Sequence, residues 1–305
     1  MAMNPRPTFN PDHVTMQDSR TGEIPSTISN EILTEVKHGS GFMKLAKAEP
    51  MTTQIHHFSR LLGVGAYWVN ETERIQTSKP EWIDFKMTAH KLGVIIPVSK
   101  ETLQYSVSNF FELMRPEVAE AFAIKFDEAM FMNINNPYPN SIVQATDSTG
   151  NKVTETTNKY DDISSAMGMI ERAGVRANAI ASNMAQFYKY RGTKDAAGLP
   201  IFNAATEREP DRLVGLPVVE LPQLLGNESN IGELVGNWNF AHYGILQGIS
   251  YEILTEATLT TIVASDGNPV NLAERDMVAL KATMQVGAMI TKDEAFAVIE
   301  TEPAP

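Results

Sequence analysis

The chain of 305 residues contains no cysteine. That absence excludes disulfides, thiolate zinc sites, iron–sulfur clusters and cysteine nucleophiles together. Any bracing beyond ordinary packing must come from interlocked chains or a different covalent chemistry. Long apolar runs are also missing. Leu92–Val98 and Leu213–Val219 are far too short to cross a bilayer, and the opening Met1-Ala2-Met3-Asn4-Pro5-Arg6-Pro7 has no apolar signal core. The expectation is a soluble protein with no membrane partner. Basic charge is in deficit: 25 Lys and Arg stand against 37 Asp and Glu, a net charge of −12. Phosphate affinity grows with the number of basic contacts, so this balance argues against a nucleic-acid-binding surface. The same charge also serves plain solubility, and on composition alone it names no partner.

Catalytic and cofactor motifs are absent as well. Histidines 13, 38, 56, 57, 90 and 242 show no metal-binding spacing. His56 and His57 would face opposite sides of a strand, a poor arrangement for one metal. Gly63-Val64-Gly65 lacks the third glycine and the following helix of a nucleotide loop. No nucleophile elbow or phosphate-loop lysine occurs. Asp161 and Asp162 read as charges at a helix start, not as a catalytic pair. No catalytic, metal or cofactor residues are assigned, and no cofactor is expected.

What is present is a foldable mixture, 43% hydrophobic and 20% charged. Residues 1–22, with Pro5, Pro7 and Pro11, read as an extended arm. Ile28, Ile32, Leu33 and Val36 follow at helical spacing, between a possible cap at Ser29 and a stop at Gly39. Thr52–Ser59 is a weak strand candidate. Ile83, Phe85, Met87 and Ala89 alternate with polar residues as in a half-exposed strand, and from Leu92 to Val98 both faces turn apolar, as if the strand enters a core. Between them, residues 60–79 read as a projecting hairpin whose aromatic residues need a cover. Ser108–Ile134 predicts a helix of about 40 Å, capped by Asn109 and Glu112 and kinked or restarted at Pro116. Residues 140–159 read as a polar crossing between domains. Helices at 160–172 and 183–190 alternate with strands at 177–181, 216–221 and 234–238, a compact α/β or α+β unit. Last, Val278, Leu280, Ala282, Met284, Val286, Ala288 and Ile290 share one face of a long strand, which is expected to pack on the helix at 108–134.

Several ordered blocks resemble a known family. They are Gly65-Ala66-Tyr67-Trp68-Val69, Thr77-Ser78-Lys79, Lys91 to Glu101, Phe110-Phe111-Glu112, Ala119-Glu120-Ala121-Phe122 and Lys125 to Ala129. Gly215 to Val219, Asp276 to Met284 and Ala295-Phe296-Ala297 complete the set. Each is weak alone, but their order and spacing resemble the major capsid proteins of tailed phages, with the Hong Kong ninety-seven fold. The likeness is greatest to siphophages of Gram-positive hosts and spans nearly the whole chain. Gly236-Asn237-Trp238 stands where relatives often carry Gly-Asp-Phe.

The resemblance implies an α+β fold divided into an N-terminal arm and short helix (1–50), an E-loop hairpin (51–97) and a P domain with a spine helix (98–159). An A domain (mostly 160–270) and a P-domain strand with the C-terminus (271–305) complete it. It implies a major capsid protein that self-assembles into hexamers and pentamers of an icosahedral shell around double-stranded DNA, with no enzyme activity. Tyr67, Trp68, Ile75, Lys79, Trp82 and Phe85 become candidate contacts between subunits. Lys79 is also the one lysine between Gln54 and Glu81, where some relatives form an isopeptide, although that pattern is not matched. Implied partners are further copies of the chain, a separate scaffolding protein, a portal and a decoration protein, with only non-specific contact to packaged DNA. The implied location is the virion, after assembly in the host bacterial cytoplasm. Two alternatives remain at this point: an encapsulin-type compartment of the same fold, and an unrelated α/β hydrolase.

Overall fold

The computed structural model describes residues 39–101, 110–156, 158–194, 202–203, 211–221, 230–263 and 268–301. The helix expected at 28–36, the cap residue Asn109 and the leading arm lie outside these residues. The described chain forms two compact units: one contains Leu92–Ala121 and Gly248–Met284, the other His38–Lys91, Phe122–Gln247 and Gln285–Pro305.

The larger unit begins with a short helix, α1 (Gly41–Leu45), and strand β1 (Lys47–Ala48). Strands β2 (Ile55–Gly63) and β3 (Glu81–Ser99) then form an antiparallel hairpin in which Phe58 faces Phe85 and Ser59 faces Asp84. Helix α2 (Phe110–Met132) is 23 residues long, about 35 Å at 1.5 Å per residue. It runs unbroken through Pro116, which is exposed, where a lost backbone hydrogen bond costs least. Past its end, Asn133 and Asn135 take left-handed φ values of 59° and 48°, a conformation asparagine tolerates better than most residues.

Residues 140–159, expected as a polar crossing, are folded. Helix α3 (Ile142–Thr149) is capped by the Ser141 hydroxyl, which accepts from Gln144 N, and closes at Gly150 with φ 71°. Ile142, Ala145 and Thr146 are buried beneath it. The many Thr, Ser and Asn residues concealed a single apolar stripe. Strand β4 (Lys152–Thr154) and helix α4 (Lys159–Arg172) follow; Asn158 caps α4, and Ile163, Ala166 and Ile170 are its buried face.

These helices pack on a mixed seven-stranded sheet. It is built from β4, β5 (Ala179–Ser182), β6 (Phe202–Asn203), β7 (Arg212–Leu213), β8 (Leu216–Glu220), β9 (Ile231–Gly236) and β14 (Phe296–Glu300), in the order β4-β14-β9-β5-β8-β7-β6. All residues of β9 are buried, as expected for a strand covered on both faces. A 3₁₀ turn at Met184–Gln186 and helix α5 (Phe187–Gly192) replace the single helix expected at 183–190. Gly236 is a contact glycine: a Cβ there would sit 2.4 Å from the Phe296 ring.

A chain of edge-to-face rings fills the centre of this unit. Phe42 meets Phe126 at 5.6 Å and Phe131 at 5.7 Å; Phe131 meets Trp238 at 5.9 Å, and Trp238 meets Phe296 at 5.4 Å. Trp238 donates its indole N–H to the Ala179 carbonyl at 3.1 Å. Beside it, the Asn237 amide donates to the Arg176 carbonyl at 2.8 Å and its oxygen accepts from Asn239 N. An aspartate at 237 could do only the second.

The other sheet has the order β1-β10-β13-β3-β2 and includes β10 (Ala241–Leu254) and β13 (Met277–Ile290). The seven residues expected to share one face of β13 are all buried. Its anticipated packing on α2 runs, in the larger unit, through Tyr138, whose ring meets Phe126 at 6.0 Å and whose hydroxyl donates to the Val286 carbonyl at 3.0 Å. The expectation that β3 enters a two-sided core after Leu92 is corrected: Ile95 is exposed and only Val98 is buried. In the smaller unit, β11 (Thr258–Val263) and β12 (Pro269–Asn271) form a hairpin over a cluster of Leu259, Ile262, Val270, Leu272 and Ala279.

Candidate assembly surface

The β2–β3 hairpin is anchored at its base and bare toward its tip. At the base, Met51, Met87 and Ala89 form a buried cluster with Phe58, Leu246 and Met289 against it. Gly244 and Gly287 let β10 and β13 approach this cluster, since a Cβ at either would fall within 3 Å of the Met51 side chain. The Phe58 and Phe85 rings stack at 5.5 Å across the strands. Beyond β2 the ladder gives way, but Gly65 N still donates to the Ser78 hydroxyl at 2.7 Å. The turn is held by Glu73 N donating to the Asn70 carbonyl at 3.1 Å, and by Asn70 N donating to the Glu73 carboxylate at 3.2 Å. Thr72 takes φ 72° there.

The predicted contact residues divide along this axis. Trp68 is fully exposed, at 105% of its reference area, and Ile75 reaches 83%. Trp82, Tyr67 and Lys79 are also exposed. Phe85 is only half-buried and lies against Phe58 of its own hairpin. Of sixteen large apolar side chains exposed among the described residues, nine lie between Ile55 and Ile83. Such a concentration is unlike singly scattered surface hydrophobes, which need no explanation.

Sequence reasoning missed three groups. Asp127 on α2 is buried and accepts from the Ser40 hydroxyl at 2.5 Å, Gly41 N at 2.7 Å and Phe42 N at 3.2 Å. It thereby caps α1, with Lys44 the charged neighbour. Burial pushes its carboxyl up to about 6 despite those donors. Second, Lys159 lies buried between Glu233 at 2.6 Å and Glu155 at 3.0 Å, and Lys189 also bonds Glu155. Burial raises the Glu233 carboxyl against the pull of Lys159, whereas hydrogen bonds from Lys189 and Lys159 carry Glu155 below its ordinary value despite burial. Two lysines offset two carboxylates, so the cluster braces α4 against β9. Third, the Arg60 guanidinium lies 4.9 Å over the Phe240 ring. None of these long-range pairings has a local sequence signal.

A sequence model of the phage capsid family matches residues 22–301. The major capsid protein of Staphylococcus phage 80alpha is 42% identical over 95% of this chain and 88% of the relative. Among solved structures, a chain of Microbacterium phage Oxtober96 gives a TM-score of 0.76 at 24% identity, covering 91% of this chain and 96% of that one. One of Mycobacterium phage Adephagia gives 0.74 at 21%, covering 96% and 99%. At such identities these two establish the fold, the α+β Hong Kong ninety-seven type. The family match and the staphylococcal phage relative together show that the chain belongs to the phage capsid family, as a structural major capsid protein of a tailed phage and not an enzyme.

Proposed function

We propose that copies of this chain assemble into hexamers and pentamers that close an icosahedral shell around double-stranded DNA. In this reading the β2–β3 hairpin is the E-loop, α2 the spine of the P domain, and the seven-stranded sheet with its helices most of the A domain. The observation that carries it is the crowding of exposed apolar side chains on the hairpin, with Trp68 and Ile75 the barest of them. Tyr67, Trp68, Ile75 and Trp82 then gain their cover from a neighbour, at roughly 1.5–3 kcal/mol for each large side chain fully buried. Ordering the hairpin opposes that gain. Lys79 and Phe85 act from the same element, Phe85 by stiffening it through Phe58. A separate scaffolding protein, a portal and a decoration protein complete the particle, which forms in the host cytoplasm. With a net charge of −12, the shell touches packaged DNA only non-specifically.

Negative-stain microscopy of the expressed protein should show closed shells. A monodisperse monomer at high concentration would contradict the proposal. Trp68→Ala should keep the subunit's circular dichroism and melting behaviour while lowering shell yield; normal particles would remove Trp68 from the contact.

A further inference from the structure

At the base of the hairpin lies an open cleft of about 470 Å³. Phe58 and Phe240 give it aromatic walls, and Lys47, Glu49, Arg60 and His242 give it charge. Glu49 is already engaged by Lys47 at 2.8 Å and His242 at 3.3 Å. Burial holds the His242 imidazole below its ordinary value, against Glu49. Arg60 has no carboxylate partner among the described residues. Its guanidinium is held by the Phe240 ring, so its planar fork is oriented before any ligand arrives. A cation with an aromatic neighbour, open to solvent on a strongly acidic chain, calls for a carboxylate beside an apolar group.

The hairpin's own far end carries that combination. Trp68 is bare, and three residues on, Glu71 has no ion-pair partner among the described residues, since the turn is held by the Glu73 carboxylate instead. The two ends cannot meet within one copy. From Arg60 to Asn70 an extended strand covers as much as about 30 Å, and the ladder and the Gly65–Ser78 bond keep the two arms together. We propose that the hairpin tip of one copy docks into the cleft of a neighbouring copy, with the Trp68 indole against Phe58 and the Glu71 carboxylate on the Arg60 guanidinium. This rests on the shell assembly proposed above and names its receptor. Tip and cleft are different patches, so the contact is head-to-tail, the kind that generates rings when the rotation closes.

The test is a charge exchange with a covalent check. Arg60→Glu and Glu71→Arg should each lower shell yield roughly tenfold or more, as loss of one charge-paired contact per subunit implies, while the double variant recovers shells. Single variants that assemble like the wild type would overturn the docking, and so would a double variant no better than the singles. Because the chain has no cysteine, Arg60→Cys with Glu71→Cys can be treated with a short bismaleimide. Assembled shells should then give a ladder of covalent multimers absent from either single substitution; shells without a ladder would also overturn it. A wild-type protein that forms no shells would instead refute the shell reading itself.

Discussion

Asp127 shows how one side chain ties distant parts of the chain together. It lies 87 residues from Ser40 and accepts three donors at the start of α1. The folded subunit holds its proton up to about pH 6, against an ordinary value of 3.8. Because the folded value is the higher one, this group's contribution is fully present below about pH 4 and is lost as pH rises through 6. The difference amounts to about 3 kcal/mol. Comparing the wild type with Asp127→Asn by denaturant unfolding should show the wild type's relative stability falling between pH 4 and 7. A difference independent of pH would refute the assignment. The sequence gives no hint of this pairing. By contrast, the exposure of Trp68 and Tyr67 was legible, because aromatic side chains in a polar, glycine-containing stretch have no local partner. That Phe85 stacks on Phe58 depends on the register of the hairpin, which residue types alone left open.

Among the elements, β13 was readable in full because every second residue from Val278 to Ile290 is apolar, with Lys281, Thr283 and Gln285 opposite. Most of α2 was readable for the same reason at helical spacing. The 140–159 stretch was not: its polar composition hid α3, whose inward stripe is short. Strand β10 went unread because Gly244 and Gly248 interrupt its pattern, although Gly244 is where the sheet admits Met51 and Met87. Helix α2 is a scaffold element whose loss would be felt before assembly. Phe122, at 6% exposure, should cost the isolated subunit about 3–5 kcal/mol when changed to alanine. Chemical denaturation of Phe122→Ala measures this directly; an unchanged midpoint would show that the site collapses without penalty or is not packed in solution.

For the whole molecule, the division of labour is between a body closed by its own rings and ion pairs and a hairpin buried at its base but with exposed apolar side chains toward its tip. A shell built from subunits of net charge −12 must overcome mutual repulsion through many modest contacts, and the proposed burial of the hairpin on a neighbour would supply much of the gain. Hydrogen exchange at residues 64–80, compared between free subunits and assembled particles, tests that claim most directly. Exchange should be rapid in the free subunit and strongly suppressed in the shell, with the protection centred on Tyr67 to Ile75. Equal exchange in both states would show that this hairpin is not the covered surface.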